Sequence, residues 1–97
     1  MATYISLVNY TQKGIEQIKE SPARLKKVKD LVNASGGDIK AFYLTLGRYD
    51  IVVIIEAPDD SALAAIMLAI GSTGAVRSET LKAFSEGEFK AIIGSLP

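Results

Sequence analysis

The chain has 97 residues, enough for one domain and too few for a multidomain enzyme. Hydrophobic residues make up 48% and charged residues only 23%, with a mean hydropathy of +0.23, which excludes a disordered segment. Eleven Lys and Arg balance eleven Asp and Glu, so no net field draws the chain to nucleic acid or to an anionic membrane surface. The absence of Cys and His removes disulfides, thiolate chemistry, the usual general base, haem ligation and the main transition-metal ligands, so neither metal nor cofactor is expected.

Thr3 to Tyr10 reads as a first strand, with Ile5 and Leu7 facing one way and Tyr4, Ser6, Val8 and Tyr10 the other. No basic segment precedes this apolar run, so no secretory signal is expected. Thr11 caps a short helix bearing Ile15 and Ile18, and Ser21-Pro22 restarts it, the serine as capping hydroxyl and the proline at the first helical position. Leu25, Val28, Leu31 and Val32 continue at helical spacing until Gly36-Gly37.

Ile39 to Leu46 and Ile51 to Ile55 form the second and third strands, an antiparallel pair joined by a hairpin at Gly47-Arg48-Tyr49. Pro58-Asp59 opens a second main helix with a Leu63, Ile66, Met67 and Ile70 stripe, and Gly71 closes it. Its apolar stretch, Ala62 to Ile70, is nine residues long, about half of what a bilayer crossing takes. A cytoplasmic protein without a membrane partner is expected. Ala75 to Phe84 is the fourth strand. Ser85 and Glu88 then fit a capping box, with Phe84 and Phe89 as a hydrophobic staple, and a short helix runs to about Ile93.

The order strand, helix, strand, strand, helix, strand, helix predicts an α+β fold over residues 1–97. It is a ferredoxin-like βαββαβ unit with an extra C-terminal helix and both main helices on one face of a four-stranded antiparallel sheet. Two helices cover one face only, yet Ile51-Val52-Val53-Ile54-Ile55 is apolar on both of its faces, unlike a strand with one wet side. The far face therefore needs shelter: a second copy in a face-to-face homodimer, or the last helix folding back over it.

A cavity left by such pairing, or between sheet and helices, suits a small molecule. Its candidate polar groups are Asn9 and Tyr10 on the first strand, Tyr43 and Thr45 on the second, and Arg77, Glu79 and Thr80 on the fourth. Ordinary strand preferences and a solvated Arg77/Glu79 pair also explain these residues. In the hairpin, Gly47 supplies a positive φ and Asp50 hydrogen-bonds amides across the turn. The functional alternative makes Asp50 a base or acceptor, Tyr49 a donor and Arg48 an anion clamp. The catalytic candidates are thus Asp50, Tyr43 and Arg77, and the ligand-binding candidates Tyr10, Tyr43, Thr45, Arg48, Tyr49 and Arg77. Lys26, Lys27 and Lys29 lack interleaved aromatics and read as a solvated helix face rather than a nucleic-acid site.

Leu46-Gly47-Arg48-Tyr49-Asp50, the strand Ile51 to Ile55 and the following Glu56-Ala57-Pro58-Asp59-Asp60 resemble the GYD domain family of small bacterial and archaeal proteins. Asn9-Tyr10-Thr11, Gly14-Ile15, Ser21-Pro22, Val76-Arg77 and Ala83-Phe84-Ser85 resemble it too, so the likeness spans nearly the whole chain. It implies a ferredoxin-like fold of the dimeric α/β-barrel type and no particular activity. Three functions stay open: a self-associating ligand-binding domain, a cofactor-free enzyme of the monooxygenase or isomerase type using the same cavity, and a structural or regulatory assembly module.

Overall fold

Alternation along the first strand decides how the sheet is laid down. In a computed structural model describing residues 1–97, β1 (Ala2–Tyr10) buries Tyr4, Ser6 and Val8 and turns Ile5 and Leu7 to the other side. Thr11 then caps α1 (Gln12–Glu16), its hydroxyl accepting from the Gly14 amide at 3.2 Å and donating to the Gly74 carbonyl at 2.5 Å. A 3-10 turn, Ile18–Glu20, leads into α2 (Ser21–Ala34).

Ser21 is not the cap that its place before Pro22 predicts. Its backbone is already helical at φ −56° and ψ −43°, so Glu20 holds the cap position and no side chain caps the helix start. The Ser21 hydroxyl is instead paired with that of Tyr10 at 2.7 Å, tying α2 to the end of β1.

β2 (Asp38–Leu44) and β3 (Ile51–Ala57) pair antiparallel, with an irregularity between Ile39 and Ala41. β2 stops two residues before the expected Leu46. At Thr45 the chain bends to close the hairpin, its amide donating to the Asp50 carbonyl at 2.8 Å and its hydroxyl to the Tyr49 carbonyl at 2.6 Å. Gly47 sits there at φ +114°, where a side chain would be strained.

α3 (Asp60–Gly71) is capped by the Asp59 carboxylate, which accepts from the Ala62 amide at 2.8 Å. β4 (Val76–Ala83) leads to α4 (Glu86–Gly94), whose start carries the expected reciprocal Ser85/Glu88 capping box. The sheet order is β2-β3-β1-β4, antiparallel throughout. No helix is long and apolar enough to cross a membrane.

The core lies on the helix side of the sheet. Ile51, Val53, Ile55 and Ala57 of β3 meet Tyr4 and Val8 of β1, closed over by Val32 of α2 and by Leu63 and Ile66 of α3. A side chain as deeply buried as Ile55 contributes about 1.5–3 kcal/mol. Yet only 12 of 97 residues are buried although 48% are hydrophobic. The surface measures 6451 Å², against about 5,400 Å² for a compact chain of this mass. The radius of gyration is 14.7 Å, against about 12.5 Å. Part of that excess is α4, every residue of which is exposed.

Gly14 permits the closest backbone approach among the glycines, since a Cβ there would lie 2.0 Å from the Ala75 carbonyl oxygen. Gly14→Ala is expected to cost about 1–3 kcal/mol in urea unfolding. Gly71→Ala, where nothing lies within 4 Å at the end of α3, is expected to be neutral or stabilising by up to about 1 kcal/mol.

Candidate functional site

The sheet face without helices carries two lateral rows. Tyr43, Val52, Leu7 and Glu79 stand side by side across β2, β3, β1 and β4, and Ala41, Ile54, Ile5 and Leu81 form the next row. At one end Lys40 bridges Asp38 at 3.3 Å and Glu56 at 3.2 Å, and these pairs hold the Lys40 ammonium above its ordinary range, Glu56 contributing most. At the other end Arg77 stands beside Asn9. The result is an apolar centre with a polar rim, the anatomy of an interface rather than of a solvated sheet. The last helix does not fold back over this face, since none of its residues is buried.

The hairpin forms part of the rim. The Tyr49 hydroxyl donates to Glu79 at 3.0 Å, so the side chain reaches from the β2–β3 connection to the far edge strand. That bond, above all, raises the Tyr49 pKa. Asp50 faces the chain itself: one carboxylate oxygen accepts from the Tyr10 amide at 2.9 Å, and its own amide donates to the Val8 carbonyl at 2.9 Å. Tyr43, 60% exposed, and Arg77 sit on the open face, but no hydrogen bond or ion pair joins Asp50, Tyr43 and Arg77 to one another. Thr45 spends its hydroxyl on closing the turn, and Arg48 projects from its tip. The structure thus gathers Tyr43, Tyr49 and Arg77 around the open face, assigns Thr45 to the turn and ties Asp50 to the end of β1 rather than across the turn. Tyr10 belongs to the opposite side.

There, between the sheet, α2 and α3, lies a half-open cleft of about 210 Å³. Its wall is mostly aliphatic, including Leu25, Val28, Leu31, Ile39, Met67 and Ile70, and its polar groups include the Tyr10/Ser21 hydroxyl pair, Arg24 and Lys27. Helical spacing exposes the Leu25, Val28 and Leu31 stripe in the sequence, but only the spread of the two helices leaves it partly unfilled.

A polar network beneath α3 has no sequence signature, because its members are 22 to 74 residues apart. The Tyr4 hydroxyl donates to Asp60, whose carboxylate also lies 3.1 Å from the Lys82 ammonium, and the Ser6 hydroxyl, fully buried, pairs with Thr80 at 2.7 Å. Tyr4 is pushed up to about 12, first by the hydrogen bond to Asp60 and then by burial, while that bond and Lys82 hold Asp60 below the usual carboxylate range. No group of acidic residues is arranged to hold a metal ion.

The GYD domain family model matches residues 4–93. Among curated proteins, the glutamine synthetase and cystathionine beta-lyase binding protein of Thermus thermophilus is 38% identical over 84 residues, covering 86% of this chain and 88% of that one. Among solved structures, a feast or famine regulatory protein of M. tuberculosis, in complex with L-methionine, superposes with a TM-score of 0.67 at 16% identity; it covers 88% of this chain, which spans about half (51%) of that protein. A solved Thermus thermophilus structure superposes with a TM-score of 0.56 at 23% identity, covering 88% of this chain and 95% of its own. The likeness to both structures establishes the ferredoxin-like fold.

Removing the Asp50 acceptor leaves the Tyr10 amide unserved, so Asp50→Ala is expected to lower stability by about 1–2 kcal/mol in urea titration, with Asp50→Asn much closer to the parent. The Tyr4–Asp60 bond gives two pH limbs. A raised tyrosine pKa adds stability that is complete below about 10 and fades as pH climbs towards about 12. A lowered aspartate pKa adds stability that is complete above about 4 and fades as pH falls through the folded-state value. Tyr4→Phe is expected to flatten the alkaline limb of the urea midpoint, and a limb as steep as the parent's would refute the assignment.

Proposed function

The chain belongs to the GYD domain family, and from that premise we propose that it works as a small self-associating binding module. Two copies pair their helix-free sheet faces into a dimeric α/β barrel, and the paired body presents a small-molecule site. The observation that supports this most is the apolar pair of rows at Ile5, Leu7, Val52, Ile54 and Leu81, which nothing in the chain covers. A patch of that kind left in water favours association, and a two-fold pairing is the simplest closed arrangement. Tyr43, Arg48, Tyr49 and Arg77 then line the rim of the paired faces as binding groups, with Thr45 shaping the hairpin and Tyr10 at the cleft behind the sheet.

A regulatory role towards metabolic enzymes is the second reading, favoured by the name of the 38% identical relative, a binding protein for glutamine synthetase and cystathionine beta-lyase. A cytoplasmic setting belongs with it. The enzyme reading, with Asp50, Tyr43 and Arg77 as catalytic groups, has less support, because an Asp50 oxygen is already engaged by a backbone amide.

Light scattering tests the pairing. At micromolar concentration the parent is expected at no less than twice its 10.4 kDa chain mass, and Ile54→Lys, which places a charge at the centre of the open face, is expected to lower that mass. A parent that already runs at one chain mass would overturn the reading. Native mass spectrometry of the assembled protein then reports whether a small molecule accompanies it.

A further inference from the structure

The C-terminal helix is the element least at rest. Phe89, Ile92 and Ile93 recur at intervals of three and four residues, which is one stripe of a helix, and Leu96 follows just past its end. They are 56, 43, 51 and 62% exposed. Glu86 and Lys90, paired at 3.2 Å, flank that stripe. A nine-residue helix is marginal in water even with a good cap and gains most of its stability from packing an apolar face. In the single chain no residue of that face is buried.

We propose that α4 of one copy docks its apolar stripe into the cleft between α2, α3 and the sheet of a second copy. The two surfaces match in chemistry. The cleft is an aliphatic trough whose charged lining residues are Arg24 and Lys27, both basic, and Lys27 has no ion-pair partner. The arm begins with Glu86 and Glu88, both acidic. The trough crosses the sheet from Ile39 and Phe42 of β2 to Val76 and Ser78 of β4, and α4, which leaves β4 through Phe84 and Ser85, keeps every residue exposed and does not occupy it. Docking therefore takes place across copies. It uses the helix side of the sheet and does not depend on the open-face pairing proposed above.

The absence of native cysteine makes the contact directly readable. Chains carrying Ile92→Cys are mixed with chains carrying Leu31→Cys, a cleft position on α2, and allowed to oxidise. The mixed disulfide is expected to form at least ten-fold faster than with Ile54→Cys on the open face. Adding Phe89→Asp to the arm chain is expected to abolish it. Lys27→Glu in the cleft chain is expected to slow the reaction, and Glu86→Lys in the arm to restore it. Four outcomes overturn the proposal: no mixed disulfide, a reaction indifferent to Phe89→Asp, preferential capture by Ile54→Cys, or closure within single chains carrying both Ile92→Cys and Leu31→Cys. None of them bears on open-face pairing, which is decided separately by the mass of Ile54→Lys chains that also carry Phe89→Asp, so that no α4 contact holds the copies together.

Discussion

A strand that is apolar on both sides, built into a sheet with helices on one side, is the constraint from which the rest of this protein follows. β3 turns Ile51, Val53, Ile55 and Ala57 into the core and Val52 and Ile54 outward. The inward set accounts for the folding of one chain. The outward set has no function in that fold, and in water it is a cost of the hydrophobic effect left unmet. The large surface and long radius of gyration of the single chain express the same imbalance in area and in shape.

The hairpin between β2 and β3 shows how a family motif divides between structure and surface. Gly47 allows the bend, and Asp50, expected to bond across the turn, instead serves the Tyr10 amide at the end of β1, so two of its three letters are spent on backbone. Tyr49 is the exception, because its hydroxyl leaves the turn and meets Glu79 on the edge strand. The motif therefore shapes one end of the open face, whatever that face binds. Likeness to amino-acid-associated regulators at 16% identity adds a shared fold to this picture, and fold alone does not confer a ligand.

Much of the architecture was legible from local chemistry. The alternation of Tyr4, Ser6 and Val8 with Ile5 and Leu7 announced both faces of β1, and Ser85 with Glu88 announced the start of α4. Such signals are short-range and act between residues a turn or a pleat apart. Where a side chain found another partner, the pattern misled. Ser21 has the look of a cap but spends its hydroxyl on Tyr10, and β2 ends before Leu46 because Thr45 bonds back to Tyr49 and Asp50.

The order of the elements, the two-sided greasiness of β3 and the absence of Cys and His were determined by sequence alone, since composition and periodicity do not depend on how distant segments meet. The spread between α2 and α3 that leaves a cleft, the Tyr4–Asp60–Lys82 network and the outward course of α4 were decided only in three dimensions. Each depends on distances between residues far apart in the chain, and no spacing along one strand or helix encodes such a distance.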